Sequence, residues 1–274
     1  MCSWKAFILH FLLLISFSRL RGANDYFSSG AQSAGLAGSS VMLTGLWAMQ
    51  DNQAGLVAVR KPCAGIFHDR KFLLPQLGQT DILFAFPVRK TGTAGVSFSY
   101  FGFELYNEKK IACSYAMSFS GKTSAGVRVD FISSFIAGEQ TSAKTIISEL
   151  GIQSQLASVL RMGIHLYNPS VVTLRGYANE PAATTLRMGL AYTPSGKVMI
   201  CAETGKEVSS PGVFKTGIEY RASDQVYLRT GISGLPVSTS FGFGLYKGKY
   251  KIDFSASRHQ DLGYSPQFSM EWEF

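Results

Sequence analysis

The stretch KYKIDFSASRHQDLGYSPQFSMEWEF, positions 249–274, decides how this chain is read. In its first half Tyr250, Ile252, Phe254 and Ala256 share one parity, against Lys249, Lys251, Asp253, Ser255 and Ser257. In its second half Pro266, Phe268, Met270, Trp272 and Phe274 alternate with Ser265, Gln267, Ser269, Glu271 and Glu273. Successive side chains of a strand point to opposite faces, so a period of two with one wholly apolar face predicts a hairpin. A sequence that stops on such a strand presents an edge that invites aggregation unless the sheet closes or lipid covers it. The expectation is a barrel in a membrane.

Composition agrees. Charged residues make up 16% of the 274 residues against 46% hydrophobic ones. A soluble domain carries about 25% charge, so this surface is short of it. The aromatic share of 13% and the 28 glycines fit an all-β chain with many turns, and are too aromatic for a disordered one. Cysteine use is uninformative: beyond Cys2 the chain has Cys63, Cys113 and Cys201, an odd, widely spaced set without a Cys-x-x-Cys pattern.

The N-terminus reads as a secretory signal over residues 1–23. Lys5 supplies the positive end and 6–17 an apolar run broken only by His10 and Ser16. That run falls short of the roughly 20 residues a spanning helix needs. Cleavage is expected between Arg19 and Asn24. Loss of Lys5, Arg19 and Arg21 lowers the formal charge from +8 to +5. The remaining basic residues are scattered singly along strands rather than gathered into a patch, so nucleic acid is not an expected partner.

Residues 24–58 differ from the rest. They open with the small-residue run Gly30-Ala31-Gln32-Ser33-Ala34-Gly35-Leu36-Ala37-Gly38 and hold the pattern of a short helix near Trp47. A glycine-rich run before a helix can cradle phosphate, but no Gly-Lys-Ser/Thr follows. From 59 to 274 the text is strand, turn, strand. Candidate strands are 64–74, 79–88, 92–103, 108–120, 122–135, 143–153, 156–168, 184–194, 196–206, 212–222, 225–234, 238–247, 249–259 and 264–274. Fourteen strands of near ten residues suit bilayer crossing, which takes about 9–11. The fold class is therefore an all-β, 14-stranded antiparallel transmembrane β-barrel. Short turns such as Ser120-Gly121-Lys122 and Lys247-Gly248-Lys249 alternate with longer connections, the barrel habit. The longest, 169–183 with Tyr177, Asn179 and Pro181, is the candidate external functional loop.

The polar faces of the strands mix both signs of charge. Arg128, Asp130, Arg187, Arg229 and Glu271 are expected to face the lumen. Glu149, Glu203, Glu219, Glu271 and Glu273 are the expected ion-pair partners of Arg128, Arg161, Arg187, Arg221 and Arg229. A lumen crossed by ion pairs fits these large side chains better than a wide aqueous pore. No catalytic constellation stands out. His68, His165 and His259 are far apart and none sits in a His-Glu-x-x-His arrangement. Gly-x-Ser-x-Gly is absent, and no metal or cofactor motif is present. The reading is of a protein that is not an enzyme.

The run from Gly30 to Gly38, followed by Asp51-Asn52-Gln53-Ala54-Gly55-Leu56, resembles the N-terminal signature of the PorV/PorQ-like outer-membrane proteins of Bacteroidota, relatives of the FadL-type fatty-acid channels. Gln32 stands where that family has Arg, and Gln53 where it has Pro. The stretches 105–110 and 263–269 are also similar to its uncharacterised branch. The resemblance implies a Gram-negative outer membrane, 14 strands, and residues 24–58 folded into the barrel as a plug. Trp47, Asp51, Asn52, Gln53, Ala54, Gly55 and Leu56 then become plug or gate residues, and Phe274 the barrel-closing terminus at the periplasmic rim.

Two functions follow from that resemblance. One is a FadL-like conduit or binder for a hydrophobic small molecule, with an apolar pocket expected between Leu43, Leu46, Trp47 and Met49 and the wall. The other is an accessory or scaffold barrel of type IX protein secretion, meeting secretion-system proteins and passing no substrate. Outer-membrane lipids are expected partners in both cases.

Overall fold

The computed structural model describes residues 29–88, 92–138, 142–172, 182–208, 210–234 and 236–274. The expected signal segment 1–23 and positions 173–181 of the candidate external loop lie outside them. Fourteen strands form one closed antiparallel barrel: β1 (Cys63–Arg70), β2 (Gly78–Val88), β3 (Gly92–Phe103), β4 (Tyr106–Ser120), β5 (Thr123–Ile136), β6 (Ala143–Ala157), β7 (Leu160–Tyr167), β8 (Thr185–Ser195), β9 (Val198–Glu207), β10 (Val213–Arg221), β11 (Val226–Ser233), β12 (Ser238–Lys247), β13 (Tyr250–His259) and β14 (Gly263–Glu273). Each strand pairs with its chain neighbours, and β14 closes onto β1 with Cys63 opposite Glu273 and Asp69 opposite Gln267.

All fourteen strands fall where the alternation places them, twelve of them with shifted ends. β1 stops at Arg70 rather than 74 because Phe72 and Leu73 take left-handed φ of 55° and 61°. Residues 154–157 extend β6, so the turn before β7 falls at 158–159. At the rim where Pro62 and Phe274 meet, no connection exceeds four residues; the opposite rim carries the long ones, 71–77, 137–142 and 168–184. That asymmetry matches barrels with short periplasmic turns and long outer loops.

Burial is inverted relative to a soluble sandwich. The apolar parity faces outward: Ile66, Ile82, Phe98, Ile111, Val129, Ile146, Leu190 and Phe254 are all exposed on the outer wall. The polar parity is buried, with Asp81, Ser97, Arg128, Asp130, Glu149, Arg187, Asp253 and Ser269 turned to the lumen. Only a surrounding apolar solvent makes that arrangement favourable, because outward side chains then meet lipid while inward ones meet hydrogen-bond partners. Near the short-turn rim Tyr250 stacks on Trp272 at 6.3 Å, and Trp272 meets Phe274 at 4.5 Å, in the manner of an interfacial aromatic girdle.

The lumen is occupied by the chain's own N-terminal part. Residues 29–59 form α1 (Ala31–Gly35), α2 (Ala48–Asp51) and a 3-10 turn (Gln53–Ala58), joined by irregular backbone. Most of their side chains are buried, Leu36, Met42, Leu46, Met49 and Leu56 completely. None of the described helices is long and apolar enough to cross a membrane; crossing falls to the strands.

Candidate functional site: the inner segment against the lumen wall

Three pairs of glycines, each directly opposite across neighbouring strands, leave patches of bare backbone on the inner wall. They are Gly126 and Gly151 on β5 and β6, Gly163 and Gly189 on β7 and β8, and Gly217 and Gly231 on β10 and β11. The inner segment lies on all three. A Cβ on Gly151 would fall 2.1 Å from Asn52 Oδ1, one on Gly163 2.2 Å from the Val41 carbonyl, and one on Gly231 2.5 Å from the Leu36 carbonyl carbon. Any other residue at these places would push the segment off the wall, because close-packed interiors have no room for an added methyl.

Charged wall residues hold the segment by its backbone. Arg187 donates from Nε to Glu203 Oε1 at 2.7 Å and from Nη2 to Ser40 Oγ at 2.8 Å. Glu203 Oε2 in turn accepts the Ser40 and Val41 N–H groups at 2.8 and 2.9 Å. Lys215 Nζ reaches the Gly38 carbonyl at 3.3 Å. These bonds satisfy backbone that no helix or sheet serves. Three strands along, on β5, Arg128 binds Asp130 at 2.8 Å and donates to the Met49 carbonyl at 2.9 Å. Its neighbour Glu149 accepts from Gln53 and lies 2.9 Å from His165 Nε2. In a third cluster Arg229 binds Glu219 and, at 2.6 Å, Asp253, and donates to the Tyr246 hydroxyl. Gln32 joins it through Glu219 at 3.0 Å. Buried charges of this kind are tolerable only when paired and hydrogen-bonded.

Asn52 is the hub of the Asp51-to-Leu56 stretch. Its Nδ2 donates to the carbonyls of Val41, Ile152 and Ile164, and its Oδ1 accepts from Ala54 N–H at the start of the 3-10 turn. Gln153 donates to the Val41 and Leu43 carbonyls at 3.0 and 2.8 Å, and Ser124 to that of Ala54 at 2.9 Å. Asp51 lies 3.7 Å from Arg187 Nη1.

Toward β1–β4 the contact changes character. Leu46, Trp47, Met49, Leu56 and Val59 pack with Cys63, Phe67, Leu83, Ala85 and Ala116 into one apolar cluster. Trp47 meets Phe67 edge-on at 6.2 Å. Leu43 belongs to a second cluster, with Leu36, Val41, Met42, Ala191 and Cys201. The expected apolar pocket beside Leu43, Leu46, Trp47 and Met49 is thus replaced by packing: these side chains fill the space they were expected to line.

Other expectations fare unevenly. Arg128, Asp130, Arg187, Arg229 and Glu271 all turn inward. Glu149, Glu203 and Glu219 lie against Arg128, Arg187 and Arg229. Glu271 and Glu273 face Lys251 instead of an arginine, at 2.7 and 3.8 Å. Arg221 meets Asp224 at the rim. Arg161 pairs with Gln155, its direct neighbour across β6 and β7, at 3.1 Å. Phe274 donates its N–H to the Pro62 carbonyl at 2.9 Å. Alternation alone does not single out the glycine pairs, although hairpin register places each pair directly opposite on the lumen parity.

Cavities remain at the two mouths. A cavity of about 260 Å³ opens at the short-turn rim beside Thr44, Val57 and Arg60 of the inner segment and its exit. Another of about 220 Å³ lies at the long-loop rim, lined by Asp69, Lys71, Phe72, His259 and Gln267 among others.

No protein-family model matches this sequence, and no curated protein does. Solved structures do match in fold. The CymD monoaromatic hydrocarbon channel is 14% identical with a TM-score of 0.65, over 92% of this chain and 99% of that one. The toluene transporter TodX of Pseudomonas putida is 13% identical with a TM-score of 0.66, over 91% and 99%. A FadL homologue of Pseudomonas aeruginosa is 10% identical with a TM-score of 0.66, over 92% and 100%. The chain shares the barrel architecture of these FadL-type proteins.

Proposed function

We propose that this protein is a Gram-negative outer-membrane barrel that binds or passes a hydrophobic small molecule, with residues 29–59 as the plug that gates it. The observation that carries this reading is the two-sided hold on that segment. On the β5–β11 side it is fastened by buried charges and glycine patches. On the β1–β4 side the side chains of Trp47, Met49 and Leu56 pack into an apolar cluster with Cys63, Phe67, Leu83, Ala85 and Ala116. Apolar contacts are non-directional and are replaceable by an apolar guest, whereas a buried ion pair tolerates no such exchange. A hydrophobic molecule would therefore travel along the β1–β4 side, displacing Trp47 while the charged side keeps the plug in place. No enzymatic step is involved.

The fold shared with proteins named as a hydrocarbon channel and a toluene transporter supports the choice of cargo class. Uptake of toluene into liposomes bearing the purified barrel tests it, with the intact chain set against Trp47→Ala and against a chain lacking residues 24–58. Uptake should rise in both variants; if neither leaks above empty liposomes, the conduit is wrong.

A second reading rests on the filled lumen itself. A barrel sealed by its own chain also suits an accessory of type IX secretion, the role the PorV/PorQ resemblance implies. Co-purification of secretion-system proteins with the intact barrel, and toluene uptake no faster than through empty liposomes, would favour it.

A further inference from the structure

The cavity at the short-turn mouth differs in charge from the arginine clusters deeper in the lumen. Its lining includes Arg60, Lys122 and Arg161, with Thr44, Ser154 and Gln155 among the neutral polar groups, and contains no Asp or Glu. The arginines deeper in the barrel, 128, 187 and 229, each have two carboxylates within 4 Å. Arg161 has none among the described residues: its Nε donates to the neutral Gln155 Oε1, and no described side chain neutralises its charge. It is nevertheless half-buried at the base of β7. A partly desolvated guanidinium without a counter-charge is unfavourable unless an anion completes it. The cavity at the other mouth includes Asp69 beside Lys71 and so lacks this one-sided charge.

We infer that the short-turn mouth is a binding site for an anionic group of carboxylate or phosphate type, held by Arg161 with Arg60 and Lys122. Guanidinium presents a planar fork of donors that matches such groups, and the surrounding hydroxyl and amide side chains complete a polar shell. A volume of about 260 Å³ exceeds the space of a few waters, each of which takes roughly 30 Å³. The partly buried Arg161 charge lies against low-dielectric barrel wall, which focuses its field into the opening and raises the local anion concentration. The site does not depend on whether the lumen conducts. The anion is either a free small solute or the acid end of an amphiphile.

Isothermal titration calorimetry on the intact chain in non-ionic detergent separates these sources, using acetate, decanoate and uncharged decanol. Binding of both acids marks a free-anion site; binding of decanoate alone marks a site for an amphiphile's acid end. In either case Arg161→Gln should weaken the acid about tenfold, equivalent to about 1.4 kcal/mol, and added salt should weaken it further. Lys122→Gln, in an exposed turn, provides a second variant if Arg161→Gln does not fold, and should weaken binding in the same direction. Absence of binding by either acid, affinity unmoved by the folded variants, or decanol binding as tightly as decanoate overturns the assignment.

Discussion

The side-chain oxygen of Asn52 sits where the Cβ of any residue other than glycine at position 151 would lie, 2.1 Å from that point. The same asparagine ties three carbonyls together through its Nδ2. One atom missing from the wall thus allows one polar side chain to organise the segment that fills the lumen.

Gly151→Ala should therefore dislodge that segment. Overpacking of this kind costs about 1–3 kcal/mol. The temperature at which folded protein converts to the unfolded band on an unboiled detergent gel should fall. Gly121→Ala, where an added Cβ meets nothing within 4 Å, should leave that temperature unchanged.

Arg187 and Glu203 offer a test of buried charge. Arg187→Met leaves Glu203 facing only Lys215 at 3.9 Å and two backbone N–H groups, a loss of about 3–5 kcal/mol. Adding Glu203→Gln to Arg187→Met should recover part of that loss. Denaturant unfolding of the two single variants and the double variant measures the coupling; strictly additive effects would mean that the pair does not act as a unit.

Trp47→Ala should open a cavity in the cluster shared by Phe67, Leu83 and Leu56. A cost of about 3–5 kcal/mol is expected from loss of a large buried aromatic. Restored stability on adding toluene, seen as a higher unfolding midpoint, would show that the vacated space takes an apolar guest.

The outward parity is tested at Val129, exposed near the middle of β5. Val129→Arg should destabilise the barrel in lipid by about 2–4 kcal/mol, as a charge at the bilayer midplane does. In a water-soluble β-structure with that face in solvent, the same change would be close to neutral. Equilibrium folding into vesicles distinguishes the two.

Local alternation determined the strands and their number. Side-chain parity is a property of neighbouring residues, so positions 92–103 and 238–247 yield β3 and β12 with their bounds unchanged. Register, once hairpins are assumed, also places Arg128 opposite Glu149, Arg229 opposite Glu219 and Lys251 opposite Glu271. What the alternation could not say is where residues 29–59 run. Their contacts join positions a hundred or more residues apart, such as Asn52 with the Ile152 and Ile164 carbonyls. Those contacts depend on glycines that, read singly, look like breaks in a strand. Only the closed barrel brings Gly151 under Asn52, seals Trp47 against Phe67 and leaves Arg161 at the mouth with no carboxylate partner among the described residues. Closure decides which polar faces share one lumen, and that is a property of the whole sheet rather than of any stretch of sequence.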